Sequence, residues 1–181
     1  MWKWGALLLW FWAFVAGAQE KDDVWVLVDT KKLLLHVMRG DRVIETFDRI
    51  SIGSRGVTKA KRRGDHKTPL GVFRIGWVKE SSRYHRFFGL NYPTLSHATR
   101  GWLRGWLDDP TYRSLIRASF ESAVPPQNTP LGGFVGIHGV GRADRSIHGV
   151  FNWTQGCIAL TDDQIDRLSR WIGVGTTVVI R

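Results

Sequence analysis

Short apolar runs separated by glycine and polar turns dominate the first half of the chain. Runs at 24–29 and 33–38 are rich in Val and Leu, and an Arg-Gly-Asp turn leads from the second run into 42–47. Apolar, β-branched runs bounded by such turns are typical of paired strands. The pattern predicts a β-meander over the first third of the chain, with a further short strand at 50–52.

Three later apolar runs predict more strands. They lie at 72–78, 133–138 and 176–180, and the second one delivers His138 at its end. Between the meander and these strands, the segment 59–67 (KAKRRGDHK) is highly charged and interrupted by glycine. We expect that segment to be an exposed loop.

Helical patterning is confined to two regions. Between about residues 81 and 130 the regular alternation disappears, which indicates a lid or insertion over the sheet with a helix near 111–122. A second helix is predicted from Thr161, because Gln164 follows at capping-box spacing. Its apolar stripe runs down to Gly173 and comprises Ile165, Leu168, Trp171 and Ile172.

The N-terminus has the pattern of an export signal. Lys3 precedes an apolar run at 5–15, and small residues stand at Ala16 and Ala18. An uncleaved membrane anchor is less well supported, because the run is shorter than the roughly 20 residues that span a bilayer. The sequence predicts a signal peptide at 1–18 and a single domain at 19–181 that functions outside the cytoplasm.

Charge and composition narrow the class of protein. The chain has 181 residues with 43% apolar residues, which excludes a disordered tail, and its formal charge of +10 suits a polyanionic setting such as cell wall or lipid headgroups. The basic run at 59–67 could bind nucleic acid, but the export signal favours a solvated face or contact with a wall polymer. We therefore expect no nucleic-acid partner.

The single cysteine, Cys157, is the strongest candidate for chemistry. A free cysteine is more often a small buried hydrophobe. An exported protein that keeps one unpaired thiol needs a reason, however, because an idle thiol is exposed to oxidation. Gly156 allows close approach of a substrate, and His138 in a glycine-rich loop is a candidate base. The two residues lie 19 positions apart, so that only folding could pair them.

Other chemistries find little support. His138, His148 and Cys157 could in principle bind zinc, but they lack the short ligand pairs that metal sites favour. The sequence contains no G-x-S-x-G nucleophile elbow and no phosphate-binding glycine loop. We expect neither a metal nor an organic cofactor.

Two motifs resemble the catalytic signature of the L,D-transpeptidase (YkuD-type) family. They are Ile137-His138-Gly139 and Thr154-Gln155-Gly156-Cys157-Ile158, and Lys67-Thr68-Pro69-Leu70-Gly71-Val72-Phe73 supports them. The resemblance covers roughly residues 24 to 181. The form Trp-Thr-x-Gly-Cys-Ile-Ala looks like that of a Gram-negative subgroup, some of whose enzymes cut the bond between peptidoglycan and attached protein.

The resemblance implies a fold, a cellular location and a set of catalytic roles. The fold would be mainly β, a β-sandwich-like catalytic domain with a partly helical insertion and one C-terminal helix. Members are exported enzymes that act on peptidoglycan stem peptides, here as a monomer in the periplasm. Cys157 would be the nucleophile, His138 its base, and the Gly139 carbonyl would orient the imidazole. Backbone at Gly156 and Cys157 would form the oxyanion hole.

The implied reaction leaves the acceptor open. The thiolate would attack the bond between diaminopimelate and D-alanine and form a thioester, and carbapenems would acylate the same thiol. An amine from another stem would give a 3→3 cross-link. An amine of an outer-membrane lipoprotein or another wall-attached protein would tether that protein to the peptidoglycan. Water would make the enzyme an L,D-carboxypeptidase or an amidase. A third possibility is a non-catalytic wall-binding module in which Cys157 is inert.

This sequence departs from the usual family pattern at two positions. Gln155 stands where members commonly have a second histidine, and Ala159 stands where they often have Arg or Asn. Contacts of that second imidazole with substrate therefore have no counterpart here. We expect the substrate to contact side chains from the insertion and the loops, namely Tyr92, Arg142, Arg145, His148, Thr154 and Gln155.

Overall fold

Most of the regular structure is a mixed β-sheet, seen in a computed structural model that describes residues 24–81 and 83–181. The predicted signal peptide at 1–18 lies outside the described residues. In chain order the strands are β1 (Val24–Asp29), β2 (Leu34–Arg39), β3 (Arg42–Phe47), β4 (Val57–Thr58), β5 (Thr68–Pro69), β6 (Gly71–Ser81), β7 (His85–Leu90), β8 (Gly136–Gly139), β9 (Ile158–Leu160) and β10 (Thr177–Ile180).

The large sheet has the order β3-β2-β1-β10-β6-β7-β8-β9. The pairs β1–β10 and β8–β9 are parallel, whereas the other neighbours are antiparallel. The predicted meander of the first third is confirmed, since β1, β2 and β3 pair consecutively. Strand β6 pairs with β10 through Gly71–Arg74 and with β7 through its later residues, and it thereby joins the two halves of the sheet. The fold is mainly β, as predicted.

The hydrophobic core follows from the alternation of side chains along the strands. Val26 and Val28 of β1, Phe73 and Ile75 of β6, and Ile137 of β8 are each almost completely buried. Residues two apart on a strand point to the same face, so these pairs line one continuous apolar layer. The strand that carries His138, β8, contributes Ile137 to this layer.

The segment predicted as a lid is more closely joined to the core than expected. It opens with β7, a strand of the main sheet, and continues with α1 (Leu95–Leu103) and α2 (Asp109–Phe120). Ala98 of α1 and Leu115 of α2 are buried in the main core. In the described part of the chain, no helix has the length and apolar character needed to cross a membrane.

The helix predicted near 111–122 is α2, which begins and ends two residues earlier. Asp108 caps α2 by accepting a hydrogen bond from the Thr111 backbone N–H at 2.9 Å, and Pro110 occupies the first turn, where its missing N–H costs nothing. The sequence pattern missed α1 altogether, because α1 contains two residues of low helix propensity, Thr99 and Gly101.

The C-terminal helix α3 (Asp162–Leu168) begins where the capping box predicts. The Gln164 backbone N–H donates to the Thr161 hydroxyl at 3.2 Å, and the Thr161 N–H donates to the Gln164 side chain at 3.0 Å. The helix ends five residues before Gly173, and Trp171 is 37% exposed rather than part of the buried stripe. Helix α3 packs against β7 and β8.

Two further expectations need correction. Residues 50–52 do not form a strand of their own, because only Ser51 makes an isolated bridge, to Ala159. The charged segment 59–67 is a loop, but it is not uniformly exposed, since Lys61 has only 5% of its surface accessible. Lys61 is buried because its ammonium group donates hydrogen bonds to the Asp65 carboxylate and the Gln155 carbonyl.

We predict that Thr161→Ala destabilises the protein by about 1 kcal/mol, because one side of the capping box is lost. The melting temperature should fall by about 2–4 °C in a thermal denaturation monitored by circular dichroism. Ser119→Ala, which removes an exposed hydroxyl from the last turn of α2, is the matched control and should not lower it. Equal melting temperatures for the two variants would contradict a stabilising capping box.

Candidate active site

A cleft of about 660 Å³ contains both His138 and Cys157. Its described lining includes no aspartate or glutamate but several cationic side chains, those of Lys61, Arg63, Arg83 and Arg142. Like charges around one concave surface give it a positive potential. The cleft is therefore suited to an anionic ligand.

The sheet register brings the two candidate catalytic residues together. Strands β8 and β9 are parallel, with Ile137 opposite Ile158 and His138 opposite Ala159. Continuing this register by one residue sets Cys157 beside Gly136. Residues two apart on a strand share a face, so Cys157 and His138 project to the same side of the sheet.

The imidazole of His138 is held in one orientation by its neighbour. Its Nδ1 lies 2.7 Å from the Gly139 carbonyl oxygen, and the residue is 2% exposed. A carbonyl oxygen can only accept a hydrogen bond, so Nδ1 carries the proton. Nε2 is then the basic nitrogen, which is the arrangement that a general base requires.

Aromatic rings surround that imidazole. Phe87 is nearly parallel to it at 12° with centroids 6.0 Å apart, and Tyr84 is tilted at 4.6 Å. Trp153 meets it edge-on at 6.0 Å. Burial lowers the pKa of His138 to about 4, and the hydrogen bond to Gly139 only partly opposes that effect. The resting imidazole is neutral at pH 7.

The loop before Cys157 is shaped by one buried hydroxyl. The Thr154 hydroxyl donates to the Cys157 carbonyl at 2.7 Å and accepts from the Gly156 N–H at 3.1 Å. Gly156 has a φ of +131°, and a Cβ there would lie 2.7 Å from the Lys67 carbonyl oxygen. Only glycine fits this position. The tight loop presents Cys157 at the edge of the cleft.

The thiol of Cys157 is half-buried and lies 3.4 Å from the Phe134 carbonyl oxygen, to which it donates. Burial raises its pKa to about 11, although the backbone of Gly136 and the charge of Lys61 act in the opposite direction. The resting thiol is therefore protonated at pH 7. Cys157 and His138 form a neutral pair in the absence of substrate.

The family model described as YkuD, L,D-transpeptidase catalytic domain, matches residues 23–180. The chain belongs to this family. The match covers the strands on both sides of the cleft and both candidate catalytic residues. No protein with a curated description matches the chain.

Solved structures share the fold of this L,D-transpeptidase domain. The helical cell shape determining protein Pgp2 from Campylobacter jejuni superposes with a TM-score of 0.59 at 21% identity, over 88% of this chain and 48% of that one. Bd1075 from Bdellovibrio bacteriovorus gives 0.56 at 19% identity, with the same coverage of 88% and 48%. An L,D-transpeptidase from Enterococcus faecium gives 0.50 at 14% identity, over 88% and 50%. The chain thus spans about half the length of these proteins.

Three of the residues predicted to contact substrate line the cleft of the transpeptidase domain. Arg142 and Gln155 are exposed there, and their side chains are accessible to a ligand. Thr154 also lines the cleft, but its hydroxyl is engaged within the Cys157 loop. The Thr154 hydroxyl therefore stabilises the conformation of the loop and does not donate a hydrogen bond to substrate.

Arg145 and His148 lie outside the cleft. They line a separate hollow of about 260 Å³ beside the start of α3, where Arg145 pairs with Asp162 at 2.9 Å. The His148 Nδ1 lies 3.3 Å from the Ser51 hydroxyl. In residues 24–81 and 83–181, no three His, Cys, Asp or Glu side chains form a group that could hold a metal ion.

Tyr92 was predicted to contact substrate, and that prediction is wrong. The side chain is completely buried, and its hydroxyl donates to the Leu131 carbonyl at 2.8 Å. Burial raises the pKa of the phenol far above its ordinary value. Tyr92 anchors the helical segment to the core and does not reach the cleft.

Sequence reasoning missed several residues of the cleft, Tyr84 and Lys61 among them. Tyr84 packs against His138 from the turn that precedes β7, and Lys61 comes from the charged loop. For Lys61 one signal was present, namely an aspartate four residues later at Asp65 in a loop with few acidic residues. No comparable signal singled out Tyr84.

We predict that alkylation of Cys157 by iodoacetamide, without substrate, accelerates about tenfold per pH unit from pH 7 to 10. The reason is that only thiolate reacts and burial holds the pKa of the thiol near 11. The rate is followed by intact-protein mass spectrometry, with free N-acetylcysteine as the reference, whose rate should level off near its pKa of about 8.5. A plateau for the protein below pH 8 would contradict a protonated resting thiol.

Proposed function

We propose that the protein is an exported cysteine L,D-transpeptidase that acts on the stem peptides of peptidoglycan. The observation that carries the proposal is the placement of Cys157 and the Nε2-basic His138 on one face of β8–β9, inside a cationic cleft. A positioned nucleophile and base within one cleft constitute the machinery of acyl transfer.

The first half of the reaction forms a thioester. The Cys157 sulfur attacks the carbonyl that joins diaminopimelate to D-alanine, and the thiol proton passes to Nε2 of His138. Because both groups are neutral at rest, proton transfer accompanies the attack rather than preceding it. The backbone N–H of Cys157 stabilises the oxyanion, and His138 returns the proton to the amine of D-alanine as the C–N bond breaks.

The second half releases the acyl group. An amine of a neighbouring stem peptide loses a proton to His138, attacks the thioester carbonyl and expels the Cys157 sulfur, which regains a proton. The product is a 3→3 cross-link. The amine of an outer-membrane lipoprotein or another wall-attached protein would tether that protein, whereas water would trim the stem or release attached protein.

The charge of the cleft supports this class of substrate. Stem peptides carry several free carboxylates, and the described lining of the cleft contains arginines but no aspartate or glutamate, although Lys61 pairs with Asp65 behind it. Arg142 and Gln155 are exposed at the edge of the cleft and are suited to bind a carboxylate and a peptide amide, respectively. We assign the substrate contacts to these two side chains.

The site of action follows from the substrate and the predicted signal at 1–18. We propose that the chain functions in the periplasm, as a monomer, after cleavage behind Ala18. Expression of the full chain in a Gram-negative host should give periplasmic protein whose intact mass corresponds to a start at Gln19. Unprocessed protein confined to the cytoplasm would contradict this part of the proposal.

We predict that the processed protein converts disaccharide-tetrapeptide to a dimer that lacks one D-alanine, detected by mass spectrometry. Cys157→Ser and His138→Gln should each lower the rate by at least about a hundredfold, because one loses the nucleophile and the other the base. His36→Gln is the matched control, since His36 lies on β2, far along the sheet from β8, and its loss should leave the rate unchanged.

The products distinguish the alternatives. Tripeptide without dimer would show that water is the acceptor and that the enzyme is an L,D-carboxypeptidase. Release of protein from lipoprotein-linked sacculi, with no reaction of tetrapeptide, would identify an amidase. No product from either substrate would contradict an enzymatic role and favour a wall-binding module.

A further inference from the structure

Lys61 is a charged side chain buried beside the nucleophile loop. Only 5% of its surface is accessible, although most of its neighbours in the charged segment 59–67 are exposed or half-buried. Its ammonium donates to the Asp65 carboxylate at 2.6 Å and to the Gln155 carbonyl at 3.2 Å. The second contact joins this segment to the loop that carries Cys157.

Asp65 holds the ammonium from the side of its own loop. Its carboxylate also accepts hydrogen bonds from the backbone N–H groups of Arg62 at 2.8 Å and Lys67 at 3.0 Å. Burial alone would raise the pKa of Asp65, but these hydrogen bonds and the one from Lys61 outweigh it and hold the pKa below its ordinary value. The carboxylate is therefore charged at neutral pH and fixes where the ammonium lies.

The same ammonium packs against the residue directly before the thiol. A Cβ built on Gly156 would lie 3.0 Å from Lys61 Nζ and 2.7 Å from the Lys67 carbonyl oxygen. The Gln155–Gly156 backbone is thus confined between Lys61 and the rest of the loop on one side and Thr154 on the other. Movement of the ammonium would release the backbone that sets the position of Cys157.

The loop is also fixed to the segment at 129–130. The Arg63 guanidinium donates twice to the Thr129 carbonyl, at 2.7 and 3.0 Å, and the Arg63 N–H donates to the Pro130 carbonyl at 2.9 Å. Lys61 and Arg63 both line the cleft. The segment 61–67 therefore joins the nucleophile loop to residues 129–130.

Stability alone is a weak reason for this arrangement. Burying an ammonium and a carboxylate carries a desolvation penalty that their attraction often fails to exceed, and an apolar pair of similar volume is commonly as stable. The pair stands where its charge and its hydrogen bond both act on the nucleophile loop. A role in catalysis accounts for that location.

We propose that Lys61, held by Asp65, is a positioning residue for Cys157, which fixes the Gln155–Gly156 backbone and supplies a buried positive charge beside the sulfur. This inference rests on the proposed function insofar as Cys157 is the nucleophile. Lys61 does not itself take part in bond making. It favours the negative charge that develops on sulfur as the proton leaves for His138.

Other charged and titratable groups line the cleft that contains the thiol. They are Arg63 from the same loop, Arg83 and Tyr84 from the turn before β7, His138 from β8 and Arg142 from the loop after β8. Among the influences on the pKa of Cys157, burial raises it, whereas the backbone of Gly136 and the charge of Lys61 lower it. Lys61 is thus a cation that acts on the sulfur, in addition to its hydrogen bond to the loop.

We predict that Lys61→Met, which keeps the length of the side chain and removes the charge, lowers kcat about tenfold and changes KM less than twofold. Alkylation of Cys157 by iodoacetamide at pH 8 should slow by about tenfold, as expected when a close opposite charge is removed. Lys61→Arg should recover most of both rates. Lys59→Met, an exposed lysine of the same loop, is the matched control and should behave as the parent.

Alkylation needs no substrate, so this test is independent of the proposed reaction. If the parent protein makes no product but Lys61→Met still slows alkylation, the positioning role stands and the proposed function fails. If Lys61→Met does not fold, Lys61→Met with Asp65→Leu removes both charges together and should show the same slowing.

Alkylation at the parent rate in a folded variant would overturn the proposal. A rise in KM with unchanged kcat would also overturn it, because Lys61 would then bind substrate.

Discussion

The parallel pairing of β8 with β9 is the constraint on which the site depends. It is a contact between two short strands, and its register alone places Cys157 and His138 on one face although they are 19 residues apart in the chain. A slip of one residue would turn one of the two side chains to the opposite face. The glycine at 156 and the capped start of α3 both hold the ends of β9 where this register requires them.

Burial gives the pair its chemical character. The aromatic rings around His138 and the half-buried loop around Cys157 keep the imidazole and the thiol neutral at rest. A protonated thiol is oxidised less readily than a thiolate. Reactivity then depends on a bound carbonyl, on transfer of the proton to His138, and on the buried ammonium of Lys61 behind the loop.

The parts of the structure that follow from local sequence were predictable. The meander arises from neighbouring runs joined by tight turns, and the start of α3 arises from a capping box in four residues. The two motifs around His138 and Cys157 identified the family. The separation of these two residues in the sequence, however, did not indicate that they lie close together. What local patterns could not supply was the pairing of strands that are distant in the chain.

The missed and mistaken residues share one physical cause. Tyr92 was expected to contact substrate, yet its hydroxyl donates to the Leu131 carbonyl 39 residues away. Lys61 was expected in solvent with its neighbours, yet the Gln155 carbonyl that it binds lies 94 residues away. A buried polar group needs a partner, and the sequence does not show which distant group provides it.

The central claim is that Cys157 forms a thioester with the stem peptide. The most direct test is intact-protein mass spectrometry of the enzyme quenched with acid during turnover of disaccharide-tetrapeptide, followed by peptide mapping. We expect an adduct equal to the substrate less D-alanine on the peptide that contains Cys157, labile to hydroxylamine. Product formation with no adduct at Cys157, or with an adduct on another residue, would contradict the claim.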